Sequence, residues 1–396
     1  MSRWFAILCL LCLLLASSVR PGLAQADDRS PQVTLIPVTC RMCETRLSPD
    51  GKIAAVFENR DMAGGEVTSP RQIAITLIDT TTGKTLGRLS GQTDYATDVA
   101  FSPDSRYLAA LHSNGSLRLW EIKGRKLIWE RFVGVGSGRL AFSADGQTIA
   151  ASRTGIPNSI WLIDRQSAQI GPMITWRFDT MTEFTDLVSD SAGYIGMTFS
   201  AWALAPDGKQ VAVATFNDEI WLFDLGEDGQ VTATLLLANE GAFGQGSIRQ
   251  IGYMPDGESI YFSDARIHTP RIWSLKTMTE TFPAPADEDA GGDNADRIDP
   301  GQVDLTAYDL YGLTVSPDGQ TFAWVDQAPG PDDREQPLIM TADVEEWPQT
   351  QMLVSLLPDN LRATFSARVF FTPNDRLIAG GLVAMDEENV LVVVEP

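Results

Sequence analysis

Cysteine and histidine are scarce in this chain, which has four cysteines and two histidines in 396 residues. Cys9 and Cys12 fall inside an apolar leader, so only Cys40, Cys43, His112 and His268 remain as thiolate or imidazole ligands. A structural zinc site draws four such ligands together, and these are too few and too far apart in sequence to suggest one. A c-type haem needs CxxCH, whereas Glu44 follows Cys43. No GxSxG nucleophile elbow is present. Positive charge is also short, with 30 basic against 52 acidic residues and a net charge of -22. Phosphate backbones and anionic membranes should be repelled, so nucleic acid is set aside as a partner.

Long apolar runs are lacking as well. The longest, Trp4 to Ala16, has thirteen residues, short of the roughly 20 that cross a bilayer core. It follows Arg3 and precedes Ala24-Gln25-Ala26, a small-x-small cleavage pattern. The pattern predicts a secretory signal over residues 1–26, cleavage before Asp27, and export to the periplasm or the medium with no stable membrane anchor. Neither Cys9 nor Cys12 follows the Leu-small-small pattern of bacterial lipoproteins. In an oxidising compartment Cys40 and Cys43 are expected as a small structural disulfide. Free thiols, or redox or metal chemistry, are the alternatives.

What the chain has in quantity is one kind of turn. A hydrophobic residue followed by Ser-Pro-Asp-Gly or a near relative occurs seven times: LSPDG (47–51), FSPDS (101–105), FSADG (142–146), LAPDG (204–208), YMPDG (253–257), VSPDG (315–319) and FTPND (371–375). Proline presets the first corner, aspartate bonds the backbone and glycine takes the left-handed position. Short apolar runs such as IAAVF, YLAALH and QVAVATF follow and read as strands. Sixteen to nineteen residues beyond four of the turns stands a tryptophan on a further strand: Trp120, Trp161, Trp221 and Trp273. In the first unit, residues 73–94 lack the tryptophan but keep an acidic residue and a TGK turn.

These units resemble the WD40 repeat family, in which a strand ending in Trp-Asp precedes a TGK-like turn and a GH-containing segment leads to the next SPDG. The resemblance covers nearly all of the chain after residue 26. It implies an all-β, seven-bladed β-propeller acting as an interaction module without catalysis or cofactor. Gln92 stands where the family often has histidine, Glu121 replaces the aspartate after Trp120, and Asn114 holds a turn position where aspartate is common. The family's polar His-Ser-Trp-Asp network is therefore not carried over.

Successive turns lie 41 to 62 residues apart, leaving no space for a skipped unit. The residues before the first turn and after the last together make about one repeat. That predicts a single propeller over 27–396, closed by QVTLIPV (32–38) as the outermost strand of the last blade. Its other strands would be ARVFFTP, LIAGG and VLVVVEP. A monomer is expected.

With strands a to d running outward in each blade, the SPDG turns join a to b. Residues 59–71 and 327–337 then join b to c, and 177–197 and 284–303 join d to the next a. All four insertions fall on one face, the expected surface for a protein or peptide partner. Phe178, Met181, Phe184, Leu187, Tyr194 and Phe199 supply aromatic and apolar groups suited to such a contact. Packing of that insertion on its own blade is the alternative. The acidic stretch 286–304 suggests calcium, but its spacing does not fit an EF-hand loop and a solvated loop is favoured. The competing class is a lactonase-like or quinoprotein-like enzyme, or a ligand or metal site, in the central channel. His112, on a predicted b strand, and His268, in a b–c loop, have no carboxylate or nucleophile nearby in sequence and read as structural or exposed.

Overall fold

The computed structural model describes residues 32–38, 43–58, 73–136, 138–153, 159–175, 199–215, 218–226, 230–237, 248–264, 270–282, 311–329, 335–344, 350–355, 362–363, 368–372, 377–385 and 388–395. It is an all-β β-propeller. Six sheets are four-stranded, antiparallel and ordered as the chain runs. Blade 1 is Cys43–Leu47, Ile53–Glu58, Ile75–Asp79 and Thr85–Leu89; blade 2 is Ala96–Phe101, Tyr107–His112, Ser116–Glu121 and Lys126–Phe132. Blade 3 is Leu140–Phe142, Thr148–Arg153, Ser159–Asp164 and Ile170–Thr175; blade 4 is Phe199–Leu204, Gln210–Thr215, Ile220–Leu225 and Val231–Leu237. Blade 5 is Ile248–Tyr253, Ser259–Asp264, Pro270–Ser274 and Thr279–Phe282; blade 6 is Tyr311–Val315, Thr321–Pro329, Glu335–Asp343 and Thr350–Ser355.

The expected count of seven matching blades is corrected to six. The remaining sheet, built from both ends of the chain, is five-stranded and irregular. Its long strand Leu377–Met385 pairs Arg368–Phe371 over only its first half. The overhang pairs the two-residue strand Arg362–Ala363 instead, through Ala384 and Val383. A nine-residue strand outruns its four-residue neighbour, and a second short segment takes up the backbone groups left over. On the other side Glu388–Glu395 pairs Gln32–Val38, from Gln32 opposite Glu395 to Val38 opposite Asn389. This sheet touches blade 6 through Arg368–Phe371 and blade 1 through Leu377–Met385.

Burial follows radial position. Strands b and c of blade 2 are buried on both faces, whereas strand d, Lys126–Phe132, is largely exposed. Inner strands are sandwiched between neighbouring blades and therefore read as unbroken apolar runs, not as alternation. Between blades 1 and 2 the core includes Phe57, Leu77, Leu89, Val99, Leu108 and Trp120. Alanine recurs on the b strands (Ala54, Ala55, Ala109, Ala110, Ala150, Ala151, Ala212 and Ala214) with no exposed surface. Near the centre of the ring the blades converge, and side chains there must be small.

Each turn that keeps its serine has the same wiring. In blade 1 Ser48 Oγ donates to Asp50 Oδ1 at 2.6 Å and accepts the Ile53 amide at 2.9 Å. Ser102 and Asp104, Ser143 and Asp145, and Ser316 and Asp318 repeat the pair. The glycine that closes the turn sits at positive φ, 71° at Gly51 and 74° at Gly319, while in blade 2 Ser105 takes that place at 56°. Ala205 and Met254 replace the serine in blades 4 and 5, where the turn keeps its backbone bonds from Gly208 to Ala205 and from Gly257 to Met254. The hydroxyl is thus a stabiliser rather than a requirement. Ser102→Ala removes the hydroxyl that accepts the Tyr107 amide and should cost about 1–3 kcal/mol, whereas Ala205→Ser should gain about 0.5–1.5 kcal/mol. Thermal melting of the two variants beside the parent protein checks both signs.

The acidic residue that ends strand c also has a local task. Asp79 Oδ1 accepts the Thr81 and Thr82 amides and the Thr82 hydroxyl. Those bonds, the Thr82 amide foremost, hold its carboxyl below the usual carboxylate range. Asp164 does the same for Ser167 in blade 3.

Candidate interaction face and channel wall

An antiparallel blade sends its a–b and c–d turns to one face and its b–c and d–a connections to the other. The segments between Glu58 and Ile75, Thr175 and Phe199, Phe282 and Tyr311, and Pro329 and Glu335 all leave strand ends on the second face. Residues 59–71, 177–197 and 284–303 lie outside the described residues, as do Phe178, Met181, Phe184, Leu187, Tyr194, His268 and the acidic stretch 286–304. Two expectations are corrected at their edges. Phe199 is the first residue of strand a of blade 4 and not part of an insertion. The 327–337 loop is mostly ladder, with Gln327 opposite Pro337 and Pro329 opposite Glu335, so only 330–334 connects the strands. Blade 6 thereby projects a long hairpin from the insertion-bearing face.

Two shorter connections on this face are described in detail. In the b–c turn of blade 2, Asn114 Oδ1 accepts the Ser116 amide and hydroxyl while its Nδ2 donates to Thr93 Oγ1. A Cβ on Gly115 would stand 2.5 Å from the Gly134 carbonyl oxygen, so the following d–a connection closes over this turn only because no side chain intervenes. In blade 4 the fully buried Asp218 accepts the Ile248 amide of blade 5 through Oδ1, tying a b–c turn to the next innermost strand.

The innermost strands carry a further set of ties. Arg46 of blade 1 donates to Asp98 Oδ1 of blade 2 at 2.7 Å and pairs with Glu44 at 3.0 Å. Asp98 Oδ2 accepts the Leu140 amide of blade 3 at 2.9 Å. One carboxylate therefore spans three blades. Gln250 of blade 5 repeats the device with blade 6: Nε2 donates to the Leu313 carbonyl and Oε1 accepts the Leu313 amide. Sequence reasoning missed all four residues. Their only signal was a polar residue inside an apolar a strand.

His112 ends strand b of blade 2 and is fully buried. Its Nδ1 is 3.0 Å from the Ser116 carbonyl and its ring lies 6.3 Å from that of Trp120. Burial, aided by Arg118, lowers its pKa to about 4, against the upward pull of the Ser116 bond. The imidazole is neutral at physiological pH and sealed from solvent, which suits a packing role and no proton transfer to a substrate. Among the described residues no group of three His, Cys, Asp or Glu side chains could hold a metal ion. Cys43 is buried at the start of strand a of blade 1 and is disulfide-bonded, while Cys40 lies outside the described residues.

Residues 83–121 match the family described as WD domain, G-beta repeat. The matched span runs from the TGK turn of blade 1 through Trp120 and Glu121 of blade 2. With the propeller architecture this match supports a WD40-like β-propeller family, whose domains generally mediate protein interactions and are typically non-catalytic. No curated protein matches the chain.

Proposed function

We propose that this WD40-like propeller is an exported, non-catalytic scaffold that holds a protein or peptide partner on its insertion-bearing face. One observation carries the reading. Four connections of very different length, attached to blades 1, 3, 5 and 6, all leave strand ends on the same face. A rigid ring that gathers its variable segments on one side presents a composite surface at little ordering cost to the ring itself. The sheet formed by the chain ends touches both blade 6 and blade 1. Cys40 is the proposed partner of Cys43, a small clamp beside the strand that begins blade 1. The apolar leader over residues 1–26 supports export, and a monomeric ring suits a one-to-one scaffold.

The test is cross-linking capture from the native exported fraction, with the intact protein and with variants whose residues 178–197 or 284–303 are replaced by Gly-Ser linkers. Capture of one defined partner, lost in either variant while thermal melting is unchanged, supports the reading. Capture that survives both replacements would falsify the assignment of the partner to those two insertions.

A further inference from the structure

The opposite face carries a groove that the scaffold reading does not use. It lies between blades 1 and 2, where the SPDG and TGK turns emerge, and encloses about 530 Å³. Its floor is apolar, made by Ile53 and Leu77 of blade 1, the half-exposed Leu86, and the buried Ile122 of blade 2. Its rim is cationic, with Arg106, Lys123 and Arg125 against the single carboxylate of Glu121.

Arg125 is built into this rim. Its Nη1 donates to the Leu86 carbonyl at 3.0 Å. A Cβ on Gly87 would fall 2.6 Å from its Cδ, so the glycine leaves the space in which the arginine lies against blade 1. Arg106 and Lys123 are exposed, and the Arg106 guanidinium carbon lies 5.7 Å from the centre of the Tyr107 ring.

The positive rim is a local inversion in a chain of net charge -22. The matching groove between blades 4 and 5 encloses about 510 Å³ and follows the overall sign instead. It is bordered by Asp207, Asp224, Asp256 and Glu258 against Lys209 and Lys276. The same architecture thus gives an acidic, polar groove at one blade junction and a cationic groove with an apolar floor at another. Propeller geometry alone does not dictate the second combination.

We infer that the groove between blades 1 and 2 is a second docking site, taking an acidic segment of a partner protein whose apolar side chains seat on Ile53, Leu77, Leu86 and Ile122 while its carboxylates meet Arg106, Lys123 and Arg125. The apolar floor supplies affinity through burial. The rim selects sign: a basic segment would meet like charges, and a neutral one would leave the cations unmatched. Because the distant negative surface is screened beyond about 8 Å at physiological salt, the near cations decide the contact.

The experiment uses fluorescence anisotropy of a short labelled peptide alternating leucine with glutamate, titrated with the full chain. Versions with glutamine or lysine in place of glutamate are measured in parallel. The acidic peptide should bind saturably and most tightly, and the lysine version least. The double substitution Arg106→Glu, Lys123→Glu should weaken the acidic peptide by about tenfold or more, since two attractions become two repulsions. Leu86→Ser should weaken all three peptides together by shortening the apolar floor. Lys209→Glu with Lys276→Glu, at the other groove, should leave binding unchanged, as should the Gly-Ser replacements on the insertion-bearing face. The inference fails if the acidic peptide does not bind, if the lysine peptide binds equally well, or if charge reversal at Arg106 and Lys123 has no effect. None of those results bears on the partner of the other face, so the two readings stand or fall separately.

Discussion

Asp98→Ala is expected to lower the stability of the ring by about 3–5 kcal/mol, the range found when one partner is removed from a buried pair. The physical reason is that Asp98, only 6% exposed, satisfies two groups at once. Its loss leaves the Arg46 guanidinium with Glu44 as its remaining anion, and the Leu140 amide of blade 3 without its acceptor. Asp98→Asn should cost less, because an amide oxygen can still accept from Leu140 while the charge that holds Arg46 is gone. Removing both partners, Arg46→Leu with Asp98→Leu, should be milder than Asp98→Ala, since the Arg46 guanidinium is no longer left without Asp98, although Glu44 then loses its pairing with Arg46. Urea unfolding followed by tryptophan fluorescence orders the three variants. Equal costs for Asp98→Ala and the double variant would show that the pair is not coupled and that the tie between blades lies elsewhere.

The contrast between the turns and these ties explains what the sequence could disclose. The Ser-Pro-Asp-Gly turn is closed by atoms at most five residues apart, such as Ser48 with Asp50 and Ile53. A motif that satisfies itself locally can be recognised locally, and so the repeat, the strand class and the c–d turns were all legible. Arg46 and Asp98 stand 52 positions apart, Asp98 and Leu140 42, and Gln250 and Leu313 63. Those bonds depend on how blades sit beside one another, which no single repeat records. The irregularity of the terminal sheet was hidden for a related reason. Its extra strand, Arg362–Ala363, has only two residues and forms because the neighbouring strand overhangs its partner. The hairpin of blade 6 shows the opposite error. Its Gln, Pro and Asp content reads as loop, yet ladder pairing extends to Pro329 opposite Glu335.

The second large effect concerns acid. His112 has an ordinary pKa of about 6.5 when the chain is unfolded and about 4 in the folded ring. Between those values the unfolded chain binds a proton that the folded chain refuses, so stability falls as the pH drops through this window. It is unaffected by this group above about 6.5. The full difference is on the order of 3 kcal/mol, reached near pH 4. Burial is the main cause, and Arg118 adds to it; Glu130 and Asp94 oppose it, as does the Ser116 carbonyl, which accepts from Nδ1. His112→Phe removes the titration and the Ser116 bond together. The variant should therefore start less stable at pH 7 but lose less on acidification to pH 4.5. Melting temperatures of both proteins at several pH values between 7 and 4.5 separate the two contributions, because the lost bond shifts the curve while the lost titration flattens it. Parallel curves would mean that the buried imidazole does not set the acid response, and that the carboxylates holding the c–d turns, Asp79 and Asp164, govern it at lower pH instead.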